Sequence, residues 1–185
     1  MNWFKNMNLP NKLTVIRVLA IPFFLIFLYI SSGVFRILPL LIFAAAAITD
    51  AVDGHIARRD NLITDFGKFM DPLADKLLTT SAFIAFVEIG YLSSWVVVLI
   101  ISREFLISGF RTLAASKGIT IAANPWGKIK TIFQMILIVV VLLHYTGFSG
   151  FLFFDVWITP LVAIVVLLTV TSGATYIYEN LEVIK

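Results

Sequence analysis

The chain has 185 residues, of which 60% are hydrophobic and 14% charged, and it carries a formal net charge of +3 at pH 7. A typical soluble domain is about half apolar and a quarter charged, and a soluble chain of this size has too little interior to bury the excess. The composition therefore excludes an ordinary soluble protein and indicates an integral membrane protein, and the lack of cysteine excludes disulfides and thiolate metal sites.

Six stretches are long and apolar enough to cross a bilayer, which takes about 20 helical residues. In chain order the predicted spans are Leu13–Ser31, Phe35–Ala57, Gly67–Ile89, Ser93–Ala115, Gly127–Tyr145 and Leu152–Tyr178. Residues 1–12 are predicted to form a short amphipathic helix at the membrane surface, because Trp3, Phe4 and Met7 share one helical face. The predicted fold class is an all-α membrane protein with six transmembrane helices, in a single domain over 1–185.

Lysine and arginine are distributed unevenly between the two ends of the predicted spans. With six spans both termini lie on one side, and every lysine and arginine except Arg36 falls toward that side. Because positive residues accumulate on the cytoplasmic side, we expect a multi-pass protein of the cell membrane with cytoplasmic termini.

The third and fourth predicted spans differ from the others in their charge. The charged residues concerned are Asp71, Asp75 and Lys76 in the third span and Arg103, Glu104 and Arg111 in the fourth. Ionised groups within a span are costly and usually face an internal cavity with partners. The pattern predicts a polar chamber that opens to the cytoplasm.

Four aspartates form two pairs on either side of the link between the second and third spans. Asp50 and Asp53 are three residues apart, and Asp71 and Asp75 are four apart, so each pair shares a helix face. The short link brings the two faces to the same membrane depth, where four carboxylates would repel one another. Divalent cations relieve such repulsion, and an all-oxygen site suits Mg²⁺ or Mn²⁺. We expect two such ions.

These residues resemble the signature of the CDP-alcohol phosphotransferase family, Asp-x-x-Asp-Gly-x-x-Ala-Arg, then eight residues, then Gly-x-x-x-Asp-x-x-x-Asp. All eight fixed positions match, as Asp50, Asp53, Gly54, Ala57, Arg58, Gly67, Asp71 and Asp75. The resemblance covers the whole chain, since six spans with cytoplasmic termini is also the family's architecture. It implies an enzyme that transfers a phosphatidyl group from CDP-diacylglycerol, and it further implies a homodimer.

The resemblance also implies roles for individual residues. Asp50, Asp53 and Asp71 would be metal ligands, and Asp75 would be both a ligand and the general base. The donor would be held by Asn11, Thr14, Arg17, Asp53, Gly54, Ala57, Arg58 and Gly67. The first three of these belong to an N-terminal motif and would bind the diphosphate.

The acceptor is predicted from three further segments. Residues 70–76, 103–111 and 124–131 resemble family members that use sn-glycerol 3-phosphate and release CMP. The phosphate of such an acceptor would be repelled by the aspartates. It therefore needs cations on the opposite side of the predicted polar chamber. We expect Arg103, Arg111 and Lys128 to bind its phosphate, with Glu104 orienting Arg111.

Other interpretations remain open at this point. Cardiolipin synthases and other family members with different acceptors share several of the acceptor-side segments, and an alternative interpretation assigns Arg111 and Lys128 to the positive belt. An acidic cluster in a membrane also suits a small cation transporter, although such a path has no need of Gly54, Ala57 and Arg58. The expected partners are the two substrates, membrane lipids and a second copy of the chain, with no nucleic acid.

Overall fold

The computed structural model describes residues 7–30, 32–59, 64–119, 121, 124–147 and 154–180, and within these it leaves the side chains of 51–59, 65, 68, 69 and 155 undescribed. This part of the chain is helical, with turns between the helices. The elements are α1 (Leu9–Ile30), a short 3-10 helix (Gly33–Ile37), α2 (Leu38–Arg59), α3 (Asp65–Glu88), α4 (Ser94–Ser116), α5 (Pro125–Tyr145) and α6 (Phe154–Glu179). The predicted all-α fold class is confirmed.

Four of the described segments are long and apolar enough to cross a membrane. They are Leu9–Ile30, Gly33–Asp50, Pro125–Tyr145 and Val156–Glu179. Large apolar side chains such as Phe23, Trp95 and Leu167 are exposed on the protein, which suits contact with lipid. The protein is therefore an all-helical membrane protein. Helices α3 and α4 carry more charge, so the count of six spans stays a prediction.

Helix α1 begins four residues earlier than predicted because Asn8 caps it. The Asn8 side-chain Oδ1 accepts a hydrogen bond of 3.2 Å from the backbone N–H of Asn11, and the Asn8 carbonyl accepts one of 3.1 Å from Lys12. Such a cap satisfies amide groups that have no partner inside the helix. Residues 9–12 therefore form the first turn of α1, residues 7 and 8 precede the helix, and residues 1–6 of the predicted surface helix lie outside the described residues.

The second predicted span is divided into two elements. A 3-10 helix covers Gly33–Ile37, and α2 begins at Leu38. Pro39 lies in the first turn of α2, where its missing N–H is tolerated and its fixed φ suits a helix start. The residue pattern alone did not show this boundary, since the whole stretch is apolar.

The chain divides into two compact units. The first contains Met1–Ala85 with Tyr145–Phe148, and the second contains Phe86–His144 with Ser149–Lys185. In the first unit α1 packs along α2, and the rings of Phe24 and Phe43 lie buried with their centroids 6.2 Å apart. The packing of α1 on α2 places the end of α2 beside the first turns of α1.

In the second unit, α4 packs against α6. Val97, Ile100 and Ile107 form the buried face of α4. The far end of the unit holds an aromatic cluster in which the His144 ring stacks on Phe154 with centroids 3.8 Å apart. These contacts fix the charged residues of α4 relative to α6.

Candidate active site

A polar stripe runs along the first half of α1. Asn11, Thr14 and Arg17 are spaced three residues apart, so they lie on one face of the helix, and all three are buried. Buried polar groups in proteins are almost always hydrogen-bonded. Here the described contacts go to Thr64 just before α3, to Asp71 in α3 and to Asp50 in α2.

Arg17 holds the first aspartate. Its Nη1 lies 2.5 Å from Oδ1 of Asp50, and the arginine side chain is 1% exposed while the aspartate is 41% exposed. The contact is an ion pair that is enclosed on the arginine side. The pair joins α1 to the last turns of α2 and leaves the aspartate reachable from outside.

Thr14 contacts Asp71, the first aspartate of α3 in the signature. Its Oγ1 lies 2.6 Å from Oδ1 of Asp71 and 3.1 Å from the carbonyl oxygen of Pro10. A hydroxyl has one proton to donate, and the shorter contact to the charged carboxylate takes it. This bond joins α1 to the first turns of α3.

Gly67, in the first turn of α3, lies close to Asn11 in the first turn of α1. Thr64 caps α3 by accepting a 3.0 Å hydrogen bond from the Gly67 N–H, and its hydroxyl donates one of 3.0 Å to Asn11 Oδ1. A Cβ atom at Gly67 would lie 3.0 Å from that Asn11 oxygen and 3.3 Å from the threonine oxygen. The missing side chain thus makes room for protein atoms, and the predicted nucleotide contact of Gly67 stays a prediction.

Two of the four aspartates are therefore brought to adjacent turns of α1. Asp75 lies one turn after Asp71 on α3 and is exposed. Asp53 lies in α2, but its side chain is outside the described set, as are those of Gly54, Ala57 and Arg58. Among the side chains that are described, no group of three carboxylates, imidazoles or thiolates forms a metal site, and the full predicted set includes Asp53. Carboxylate oxygens on two facing helices are the donors that Mg²⁺ and Mn²⁺ prefer, so the residues fit the predicted ions.

The predicted acceptor residues lie in the second unit, where Arg103 is tightly enclosed. Its Nη1 lies 3.3 Å from Oε1 of Glu104. A Cβ atom at Gly127 would lie 3.4 Å from Arg103 Nη2, and one at Gly173 would lie 3.2 Å from its Cγ. The arginine thus passes close to the backbones of both α5 and α6.

The predicted pairing of Glu104 with Arg111 is wrong. The described contacts of Glu104 go to Arg103 and to the Nζ of Lys130. Arg111 follows Glu104 by seven residues, about 10.5 Å along the helix, and its Nε instead donates a 3.1 Å hydrogen bond to the hydroxyl of Tyr176. The guanidinium also lies 5.6 Å from the centre of that ring, within the range of a cation–π contact.

Arg103, Arg111 and Lys128 do not line any one described cavity. Arg103 lines a largely apolar cavity of about 390 Å³ between α4 and α6, whereas Lys128 is exposed and lines a different one along α5. Lys130 was missed as a candidate although it is 1% exposed and bonded to Glu104. The signal was its spacing, because Lys130 lies four residues before Gln134 on the buried face of α5.

Comparison with known proteins decides the family. The CDP-alcohol phosphatidyltransferase family model matches residues 7–173, nearly the whole chain. The chain belongs to this family.

Several curated relatives of this family member align over most of its length. A CDP-diacylglycerol–glycerol-3-phosphate 3-phosphatidyltransferase of Bacillus subtilis (strain 168) is 41% identical, covering 96% of this chain and 97% of that protein. A protein of the same name from Rickettsia typhi is 37% identical over 91% of this chain and 94% of its own. A probable phosphatidylglycerophosphate synthase of Mycobacterium tuberculosis (strain H37Rv) is 37% identical over 95% and 82%.

In this CDP-alcohol phosphatidyltransferase, two signature aspartates are held by residues that lie outside the signature itself. Thr14 and Arg17, which contact these aspartates, belong to α1, and α1 lies within the matched region. Thr14 and Arg17 were predicted as ligands of the donor diphosphate, and the structure places them on Asp71 and Asp50.

Proposed function

We propose that the chain transfers the phosphatidyl group of CDP-diacylglycerol to sn-glycerol 3-phosphate, giving phosphatidylglycerophosphate and CMP, in phospholipid biosynthesis. The observation that carries the proposal is the nearly full-length alignment, at 41% identity, with a protein named for this reaction. The complete eight-position signature supports the same chemistry.

The proposed reaction is a single displacement at phosphorus. The acceptor hydroxyl oxygen forms a bond to the phosphorus that bears diacylglycerol, and the bond from that phosphorus to the CMP oxygen breaks. The hydroxyl proton passes to the carboxylate of Asp75, which lies one turn beyond Asp71 and is exposed. A positioned general base of this kind contributes about 10²–10⁴-fold to a rate.

The proposed cation ligands are Asp50, Asp53, Asp71 and Asp75. A bound Mg²⁺ or Mn²⁺, and we propose two, would supply positive charge to the donor diphosphate and to the departing CMP. The protein's own contribution is to orient the carboxylates, which is supported for Asp50 and Asp71 by their contacts with α1.

The proposed donor pocket lies beside this set. Its residues are Asp53, Gly54, Ala57, Arg58 and Gly67 as carried over from the family signature, with Asn11 and Arg17 from the N-terminal motif. We propose that Arg103, Arg111 and Lys128 bind the acceptor phosphate. An arginine fork suits a phosphate better than a lysine point charge, which favours the two arginines over Lys128 as its main contacts.

We further propose that the enzyme works in the cell membrane as a single domain, with its termini and active site on the cytoplasmic side. The excess of lysine and arginine toward that side supports the orientation. A homodimer is proposed on the family resemblance alone.

The reaction is tested with purified protein in detergent, CDP-diacylglycerol and separate acceptors, with products identified by mass spectrometry. Glycerol 3-phosphate should give phosphatidylglycerophosphate and one equivalent of CMP. Consumption of phosphatidylglycerol in place of glycerol 3-phosphate would make the chain a cardiolipin synthase. Release of no CMP with any acceptor would reject a phosphatidyltransferase altogether and favour a cation transporter.

A further inference from the structure

Thr14 occupies an unusual position for a residue expected to bind a substrate, since its side chain is fully buried. We propose that Thr14 is a positioning residue, which fixes the carboxylate of Asp71 for cation binding, and that it does not contact the donor diphosphate. The inference rests on the proposed function in one respect, because it takes Asp71 to be a ligand of the divalent cation.

The hydroxyl of Thr14 has no second proton to offer a ligand. It has one proton, and its 2.6 Å contact with Asp71 is the length of a charge-assisted O–H···O⁻ bond. A diphosphate oxygen could accept from Thr14 only by displacing that carboxylate. It would also have to enter a site where the threonine is 0% exposed.

The bond restrains one oxygen of Asp71 and directs the other. Oδ1 accepts from Thr14, while Oδ2 lies on the side of Gly67, 3.5 Å from where a Cβ atom would stand. Mutation of a residue that hydrogen-bonds to a metal-ligating side chain typically lowers metal affinity or activity about 10–100-fold. Arg17 acts on Asp50 in the same way from the next turn of α1.

Thr14 is itself firmly placed. The Asn8 cap fixes the start of α1, and the Asn11–Thr64 hydrogen bond joins that first turn to the start of α3. Both ends of the Thr14–Asp71 bond therefore lie on helices that are joined one turn away. A hydroxyl held in this way restrains the carboxylate at little further entropic cost.

The test is the affinity of the purified protein for Mn²⁺ in the absence of substrate. The affinity is measured from the decrease of the free Mn²⁺ signal in electron paramagnetic resonance as the ion binds. Thr14→Val keeps the shape of the side chain and removes the hydroxyl, and we expect the Mn²⁺ affinity to fall about 10–100-fold. Thr14→Ser should restore it, because the hydroxyl returns. Thr14→Ala gives the same comparison if valine prevents folding.

Thr49→Val is the matched control. Thr49 is the residue before Asp50, and its described hydrogen bond goes to the carbonyl of Ala45 in its own helix. Its loss should leave Mn²⁺ affinity unchanged. A general effect of removing a threonine hydroxyl near the aspartates would instead lower affinity in both variants and overturn the proposal.

Unchanged Mn²⁺ affinity in Thr14→Val would also overturn the proposal. If that variant had unchanged Mn²⁺ affinity and a raised KM for CDP-diacylglycerol, Thr14 would belong to the donor pocket. The outcome is separable from the proposed function. Product formation by the wild-type enzyme tests the function, whereas the Mn²⁺ titration needs neither substrate.

Discussion

Asp75 differs from Asp50 and Asp71 in its surroundings. The latter two contact buried residues of α1, and Asp75 is exposed one turn further along α3. An exposed carboxylate one turn from another proposed cation ligand is well placed to meet an acceptor hydroxyl.

Asp75→Asn should therefore keep CDP-diacylglycerol binding and lose turnover. We expect kcat to fall about 10²–10⁴-fold, the usual contribution of a general base, measured as CMP release at saturating donor. Normal turnover would assign the base to another residue. Failure to bind the donor would make Asp75 chiefly a metal ligand.

The partly buried Glu104 is the second residue whose loss has a definite consequence. It contacts Arg103 and Lys130, whose side chains are only 13% and 1% exposed. Glu104→Ala leaves two enclosed cations without this carboxylate, and breaking a buried pair in this way costs about 3–5 kcal/mol of stability. Thermal unfolding in detergent should show a clearly lower Tm.

Lysine substitutions on α5 provide the control for this stability change. Lys130→Met removes a buried cation and should lower Tm by less than Glu104→Ala, because Glu104 keeps its ion pair with Arg103. Lys128→Met changes the same residue type two positions earlier, where the side chain is exposed, and should leave Tm unchanged. Equal effects at Lys128 and Lys130 would contradict the role of the buried pair.

The aspartates could be predicted from the sequence because their spacing is local. Each pair lies within one helical turn, so periodicity places both members on one face. The bonds that hold them could not be predicted, since Thr14 and Asp71 are 57 residues apart. Lys130 and Glu104 are 26 residues apart, and periodicity within one helix says nothing about which side chain of another helix it meets.

At the scale of the elements, α1 and α3 are joined through Gly67. Alanine is a better helix former than glycine by about 1 kcal/mol, so the change would normally stabilise a helix. Here the new Cβ atom would lie 3.0 Å from Asn11 Oδ1. Gly67→Ala should therefore lower Tm and weaken Mn²⁺ binding, because α1 and α3 must move apart.

Two further variants make this prediction specific. Gly109 lies in α4 with nothing within 4 Å of its Cβ position, so Gly109→Ala should raise stability by about 1 kcal/mol. Asn11→Ala removes the oxygen that a Cβ atom would meet, and combined with Gly67→Ala it should lower Tm less than the sum of the two single changes. Additive losses would show that the Gly67 contact is not with Asn11.

The helices themselves were predicted well because apolar length is a strong signal. The prediction began the first span at Leu13, and α1 begins at Leu9, since the cap at Asn8 lies in a polar stretch. It also missed the break before Leu38, where Pro39 decides the boundary. Both differences arise from local backbone chemistry, which hydropathy does not register.

For the whole molecule, we predict that α3 and α4 also cross the membrane. Both carry charged residues and are absent from the four apolar candidates among the described helices. If they cross, the turn between them lies outside the cell and the segment after α4 lies in the cytoplasm. The balance of lysine and arginine predicts this arrangement.

Single cysteines can test the arrangement without background, because the chain has no cysteine of its own. Ser93 and Lys117 are both exposed and lie at opposite ends of α4. In intact cells, an impermeant maleimide should label Ser93→Cys directly and Lys117→Cys only after the membrane is opened. Labelling of both from outside would mean that α4 does not span.

The ion pair between Arg17 and Asp50 has a consequence for biogenesis. An arginine within a span is costly during insertion by the translocon, by up to about 2.5–3.5 kcal/mol at the helix centre, and Arg17 lies within the first half of α1. Its carboxylate partner belongs to α2, which emerges from the ribosome later. Insertion of α1 is therefore less costly once α2 is present to pair with Arg17, and we expect the two helices to enter the bilayer together as a helical hairpin.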